Sequence, residues 1–417
     1  MKIVILSDTN VLDEKQTSSV AIRQLSLATI LKDDHELTIA TTCGKKKIFK
    51  KNGIQIISGL ENINLINHFD IVLIEMSSSI SSIAYKYAIS SCNKPTIVDA
   101  HYAIIFEKLV SLSTQDSGVY KQKLQVISKI IEKGDHFICA TPKLRDYFLG
   151  QISLIGKINP HTFTSELISI FPNIFKTNFC SDKRILRRKY FKRNDKIIIS
   201  LGAIYPWFDP RPVISAMPMI LSHVRNVKLL VLGGKHPSGF YAEGYTGAVQ
   251  LSKRINLYKK SVYFLNWVTK EESFAYTSEA DLTVLISKNS LEDEFAYRTR
   301  TLTPILLGIP TVTNGSDYIS RLIHNYQAGV VLPNENPQII SRELTRLLLD
   351  KKLHRKMKSN TKMVIAHIKK DINLKPLIEF LENPKIYRLV SKPRIIGRHF
   401  NQAKSNISTF LNQKHFK

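Results

Sequence analysis

The sequence predicts an α/β protein built of two parallel-sheet domains that face a central cleft. Three observations predict this. Short β-branched runs alternate with stretches of helical periodicity, the pattern restarts once after a basic stretch, and 417 residues exceed one ordinary core. Strands separated by helices imply parallel sheets covered on both faces.

In the first half the strand-like runs are Ile3–Leu6, Leu37–Ala40, Ile54–Ile57, Ile71–Ile74, Thr96–Val98 and His136–Cys139. Helical spacing lies between them, as at Ser19–Leu31 with Val20, Ile22, Leu25, Leu27 and Ile30. The polar, basic stretch 177–196 reads as a linker. Lys196–Gly202 then restarts the pattern. Strands follow at Val227–Gly233, Val262–Leu265, Leu282–Ile286, Thr311–Thr313 and Gly329–Leu332, and periodic helices at Pro337–Leu349 and Lys352–Lys369. The expected organisation is a first domain over 1–180, a linker over 181–195, a second domain over 196–350, terminal helices over 351–384 and a basic tail over 385–417. Two such domains place a cleft at the carboxyl ends of both sheets, where ligands bind.

Composition narrows the class. Hydrophobic residues make 43% and charged residues 23%, which fits a folded globular chain. The formal net charge is +26, which suits a polyanionic or phosphate-rich partner or a generally basic solvated surface. Cys43, Cys92, Cys139 and Cys180 are far apart and form no C-x-x-C pair, so neither a zinc site nor a disulfide framework is expected. The N-terminal apolar run is too short for a signal peptide, and no stretch is long and apolar enough for a spanning helix. A cytoplasmic protein is expected. The tail 385–417 holds eight Lys or Arg and no acid, with apolar residues interleaved. It suits an anionic membrane surface, or else a solubilising or packing arm. Nucleic acid is disfavoured, because no RRM, KH or zinc signature is present. A Walker A loop, G-x-G-x-x-G, H-E-x-x-H and G-x-S-x-G are also missing.

Four segments of the second half hold residues suited to chemistry. In Leu201–Pro210, Gly202 lets the backbone approach a ligand, Trp207 and Phe208 offer flat surfaces, and Asp209 is a ligand contact or a helix cap before Pro210. In Leu232–Pro237, Gly233, Gly234 and Lys235 at a strand end suit a phosphate or a plain turn. Leu291–Leu302 opens a predicted helix. Glu292–Glu294 favour its dipole, but Arg298 and Arg300 oppose it, so an anion such as a diphosphate is expected to compensate them. In Asn314–Asp317, Ser316 or Asp317 caps the next helix.

Together with Asn266-Trp267-Val268, Ala280-Asp281, Phe295–Arg300 and Gly308-Ile309-Pro310, these segments resemble the donor domain of retaining GT-B glycosyltransferases of family 4, of the bacterial surface-polysaccharide type. The likeness covers about Ile197–Pro333, and the first half only by architecture. It implies a GT-B fold of two Rossmann-like domains and a sugar transfer from a nucleoside diphosphate sugar to a glycan or lipid-linked acceptor. It also implies no cofactor and no catalytic metal, positive groups meeting the departing diphosphate instead. The residues so implied are Lys235 at the phosphates, Glu292 near the donor sugar or nucleotide, Tyr297, Arg298 and Arg300 of the F-x-F/Y-R-T-R segment, and contacts from Gly202, Trp207, Asp209, Gly234 and Asp317.

The chain departs from the family where Thr303 and Phe295 replace a glutamate pair eight positions apart, where Pro304 is expected to interrupt the helix, and where Asn10–Asp13 replaces a Gly-Gly loop. The lost pair also suits an alternative, a non-catalytic scaffold of a polysaccharide assembly complex. In the first half, His101 follows a strand and is the candidate at the donor–acceptor junction, or else a structural histidine. Arg23 meets an acidic acceptor or lies on a solvated face. Lys45, Lys46, Lys47, Lys50 and Lys51 are expected at a strand end on the cleft side, or as a solvated charge run.

Overall fold

The computed structural model describes residues 1–11, 19–110, 112–173, 185–235 and 242–387. The basic tail from residue 388 on, residues 174–184 of the basic stretch, and Leu12 and Asp13 lie outside the described residues.

The first sheet holds β1 (Lys2–Ser7), β2 (Glu36–Thr41), β3 (Lys47–Lys51), β4 (Ile54–Ser58), β5 (Ile71–Glu75), β6 (Thr96–Asp99), β7 (His136–Cys139) and β8 (Ile168–Ile170), in the order β3-β4-β2-β1-β5-β6-β7-β8. The second holds β9 (Lys196–Leu201), β10 (Val227–Leu232), β11 (Val262–Leu265), β12 (Leu282–Leu285), β13 (Thr311–Thr313) and β14 (Gly329–Val331), in the order β11-β10-β9-β12-β13-β14. Every neighbouring pair is parallel except β3 with β4. The central strands are buried on both faces, Ile3, Val4, Ile5 and Leu6 completely, which is why they read as unbroken apolar runs rather than alternations.

Helices α1 (Ser19–Leu31), α2 (Ile83–Ala88), α3 (Ile104–Leu109), α4 (Ser117–Lys133) and α5 (Pro142–Leu154) belong to the first domain. The second carries α6 (Ile185–Lys189), α7 (Arg211–His223), α8 (Ala242–Arg254), α9 (Lys270–Ser278), α10 (Leu291–Phe295), α11 (Thr299–Leu306), α12 (Tyr318–Tyr326), α13 (Pro337–Leu349) and α14 (Lys351–Lys370). The last helix, α15 (Lys375–Glu382), crosses back to the first sheet. Asn373 pairs with Ile170 there, and the Phe380 ring stacks on His136 at 5.3 Å.

Within the basic stretch, Leu186 and Phe191 are buried in the core of the second domain, and Arg187 donates to the carbonyls of Arg193 and Asp195. The lysine run lies along the edge of the first sheet, with Lys47 opposite Ser58 at the carboxyl end of β4 and Lys51 opposite Ile54 at its start. Lys47, Lys50 and Lys51 lie on β3, the antiparallel edge strand farthest from β8, where exposed lysines keep another chain from adding to the edge. Among the described residues no helix is long and apolar enough to cross a membrane.

Candidate active site

Strand order reverses at β1 and at β9, and in open α/β sheets the ligand crevice lies beyond the carboxyl ends of strands at such a point. The chain therefore sends Gly202–Asp209 (after β9) and Ile286–Arg300 (after β12) to one crevice. A cavity of about 530 Å³ lies there. His101, Glu107 and Asn173 line it from the first domain, and Tyr205, Trp207, Phe208, Glu292, Tyr297, Arg298 and Arg300 from the second.

The turn after β9 carries no cation before Arg211. Gly202 adopts φ +85°, and a Cβ there would lie 2.8 Å from Arg300 Cζ. The opening at Gly202 is thus occupied by the chain's own guanidinium. Arg300 Nη1 donates to Ala203 O at 2.9 Å. Its Cζ stands 4.2 Å from the Phe208 ring centre and 5.3 Å from that of Tyr205, and Tyr205 stacks on Trp207 at 5.0 Å. Burial pulls the Arg300 guanidinium down to about 10, aided by Arg298, so it stays charged at neutral pH.

The predicted helix over Leu291–Leu302 is two helices. Ser290 caps α10 by accepting from Asp293 N, Ala296 leaves the helix at ψ 149°, and α11 starts only at Thr299. Pro304 does not interrupt α11, which runs on to Leu306. A proline in the second turn removes a single hydrogen bond near the helix end. The break swings Arg298 back onto α10. Its Nη1 and Nη2 donate to Glu292 Oε1 and Oε2 at 2.9 and 2.5 Å, and Nη2 reaches Asp293 Oδ1 at 3.2 Å. The anion expected to compensate Arg298 is therefore internal. Burial works against its charge, but Glu292, Asp293 and Asp317 outweigh it and hold Arg298 more firmly protonated. Burial raises Glu292, with Arg298 acting in the opposite direction. Tyr297 stacks on Tyr318 at 6.0 Å, and its hydroxyl is buried without a described hydrogen-bond partner.

In the first domain His101 is 8% exposed, and its Nδ1 stands 3.3 Å from Asp99 Oδ2. Asp99 in turn receives Arg23 Nε at 2.7 and 2.8 Å. Arg23 meets neither solvent nor an acceptor: it is 0% exposed. The buried face of α1 is Ala21, Arg23, Gln24, Leu27, Ala28 and Leu31, rotated from the apolar stripe visible in the sequence, and it carries Arg23 inward. Glu75, at the end of β5, is pushed up to about 8 by burial and by the nearby Asp99, Asp8 and Glu107.

Five candidate residues do not line the cavity: Gly202, which Arg300 covers, and Asp209, Asp317, Gly234 and Lys235. Asp209 is engaged with Arg211, accepting from its backbone N at 2.9 Å and its Nη2 at 2.6 Å, while Pro210 takes the cap position of α7. Asp317 caps α12, accepting from Ile319 N and Ser320 N, and is pushed up to about 6 by burial and by Asp293. Gly234 is close-packed, a Cβ there meeting Val231 Cγ1 at 3.0 Å and Tyr245 Cδ2 at 3.2 Å. Lys235 is exposed at the end of the turn after β10. Glu107 and Asn173 were not legible as site residues. Glu107 opens a helix after β6, a position shared by any first-turn acid, and Asn173 is defined only by its long-range contact with Arg23.

The two domains touch beside the cavity. Phe295 of α10 packs on Phe106 at 5.2 Å and Tyr147 at 5.1 Å, and Glu294 accepts from Lys143 Nζ at 2.7 Å.

The family model for glycosyl transferases group 1 matches residues 182–364. The chain carries a group 1 glycosyl transferase domain. With the two parallel-sheet domains around the cleft, this is a glycosyltransferase of the GT-B fold. In fold the glycosyltransferase resembles HepE from Anabaena in complex with UDP-glucose, at 13% identity over 92% of this chain and 100% of that one, with a TM-score of 0.66. It also resembles sucrose-phosphate synthase from Thermosynechococcus elongatus, at 13% identity over 97% and 99% of the two chains, with a TM-score of 0.64. A third likeness is to WaaG, a glycosyltransferase involved in lipopolysaccharide biosynthesis, at 14% identity over 93% and 97%, with a TM-score of 0.59. No curated protein sequence matches the glycosyltransferase.

Proposed function

We propose that this glycosyltransferase is of the family 4 type and moves a hexose-type sugar from a nucleoside diphosphate sugar to a hydroxyl of a glycan or lipid-linked acceptor, with retention, in assembly of a bacterial surface polysaccharide. The observation that carries this reading is the placement of Arg300. It stands over the β9–α7 turn, at the reversal of strand order, and lines the cavity between the domains.

Breaking the sugar–phosphate bond leaves negative charge on the departing diphosphate, and a preorganised cation there lowers the barrier. Among the described residues Arg300 makes its hydrogen bonds through Nη1, and a guanidinium has five N–H donors, so others remain for phosphate oxygens. The proposed reaction needs no metal, Arg300 meeting this charge, with Lys235 reaching the phosphates from the turn after β10. Glu292, fixed by Arg298, faces the donor sugar or the nucleotide. Trp207 and Tyr205 offer the stacked surface for a flat ring, and His101 with Glu107 forms the acceptor-side wall. The basic, apolar-punctuated tail supports a cytoplasmic enzyme that works peripherally at the inner face of the membrane, where a lipid-linked acceptor would lie.

The test is transfer from a panel of UDP-, GDP-, ADP- and CMP-sugars to lipid-linked and free glycan acceptors. The proposal predicts turnover with at least one nucleoside diphosphate sugar and retained anomeric configuration in the product. Turnover with none of them contradicts it.

A further inference from the structure

We infer that Arg23 is a positioning residue for sugar transfer, acting through Asp99 on His101. This rests on the reading above that His101 faces the reacting groups.

Arg23 joins three segments that are far apart in the chain. From α1 its Nε donates to both carboxylate oxygens of Asp99 at the end of β6, at 2.7 and 2.8 Å. Its Nη1 donates to Phe171 O at 2.6 Å and to Asn173 Oδ1 at 2.8 Å, where the chain leaves the first domain. All of this is enclosed: Arg23 is 0% exposed, Asp99 1% and Asn173 4%. A buried ion pair adds little stability compared with apolar packing of the same volume, so stability alone is a poor account of it. What the pair does achieve is geometric. With both carboxylate oxygens gripped by one guanidinium, Asp99 cannot rotate away, and its Oδ2 stays 3.3 Å from His101 Nδ1.

A histidine presents one ring nitrogen reliably only when the other is held. The 3.3 Å contact is longer than a formed N–H···O bond, and such contacts shorten when substrate fills a site. Asp99 can hold that nitrogen as an anion. Although burial opposes its charge, Arg23 and His101 keep its carboxyl below the ordinary range, while neighbouring Glu75 is raised. When that contact shortens, Asp99 would accept from Nδ1–H and leave Nε2 free to face the cavity. His101 and Asn173 both line the cavity, so one buried arginine sets the relation of two of its wall residues.

A double-mutant cycle tests this in the full chain, with kcat and KM for the sugar nucleotide measured for wild type, Asp99→Asn, His101→Ala and the double variant. Asp99→Asn is expected to lower kcat about tenfold with KM unchanged, and to cost nothing further in the His101→Ala background. Arg23→Lys, which keeps the charge but not the two-oxygen grip, is expected to fall between wild type and Asp99→Asn. Equal losses from Asp99→Asn in both backgrounds would mark a merely structural role and overturn the inference, as would full kcat in Asp99→Asn or in His101→Ala. Imidazole ¹⁵N shifts, with the His101 signal identified by its loss in His101→Ala, read the same link without turnover. A single Nδ1–H tautomer in wild type that becomes mixed in Asp99→Asn supports it, and an unchanged tautomer overturns it. If wild type transfers from no sugar nucleotide, the proposed function fails while this spectroscopic result still decides the link.

Discussion

Arg300 fills the space that Gly202 leaves open, its Cζ lying 2.8 Å from where a Cβ on Gly202 would stand. Gly202→Ala must therefore place a side chain at φ +85° and push the guanidinium aside. The left-handed backbone alone costs about 1–2 kcal/mol, or roughly 2–8 °C in Tm for a domain of this size. Gly308→Ala is the control. It has φ +71°, but its Cβ would meet nothing closer than Lys358 Cε at 3.8 Å. Thermal melts are expected to show similar losses for both variants, whereas sugar-nucleotide titration is expected to weaken only for Gly202→Ala.

Arg298 behaves differently from Arg300. Removing it leaves Glu292 and Asp293 buried without their cation, a loss of about 3–5 kcal/mol. Arg298→Ala should thus unfold at clearly lower denaturant than wild type, and loss of transfer in that variant would not isolate a contact to the donor. Adding Glu292→Gln is expected to recover part of the stability, because the two residues share one interaction. Chemical denaturation of the two single variants and the double checks this.

Much of the fold was legible because fully buried parallel strands leave unbroken β-branched runs, as at Ile3–Leu6 and Ile71–Ile74. Strand β3 was not, since an edge strand of Lys-Ile-Phe-Lys-Lys carries charge where a core strand carries none. Strand β8 has only three residues, too few to show a period. At the site, the charges of Leu291–Arg300 singled out a segment that lines the cavity, but the pairing inside it was not legible. Glu292 and Arg298 are six residues apart, a spacing no helix brings together, and they meet only because the chain breaks at Ala296. Arg23 and Asp99 are 76 positions apart, and such a contact leaves no periodic mark.

Glu75 gives a pH signature. The native state keeps its proton up to about pH 8, while the unfolded chain releases it near the ordinary 4.5. Between those values the native state binds more protons, so this group makes stability fall as pH rises and has no further effect above about 8. Glu75→Gln removes the effect. Its Tm should match wild type near pH 4.5 and exceed it by a few degrees, roughly 3–6 °C, at pH 8, as read by calorimetry across the range.

Phe295 ties the donor-side helix α10 to Phe106 and Tyr147 of the other domain. Phe295→Ala is expected to loosen this contact, raising the radius of gyration in small-angle scattering and lowering kcat at least several-fold. Lys143→Ala should change neither much, because its bond to Glu294 is solvent-exposed and such pairs contribute about 0–1 kcal/mol.

The central claim is that Arg300 binds the diphosphate of a sugar nucleotide in the cleft. Calorimetric titration of UDP, GDP and ADP against wild type and Arg300→Ala tests it most directly. Binding of at least one nucleotide by wild type, weakened about tenfold or more in a folded Arg300→Ala variant, is the predicted result, a charged hydrogen bond contributing about 1.5–3 kcal/mol. Equal affinity in the two proteins, or no binding by wild type, would contradict it.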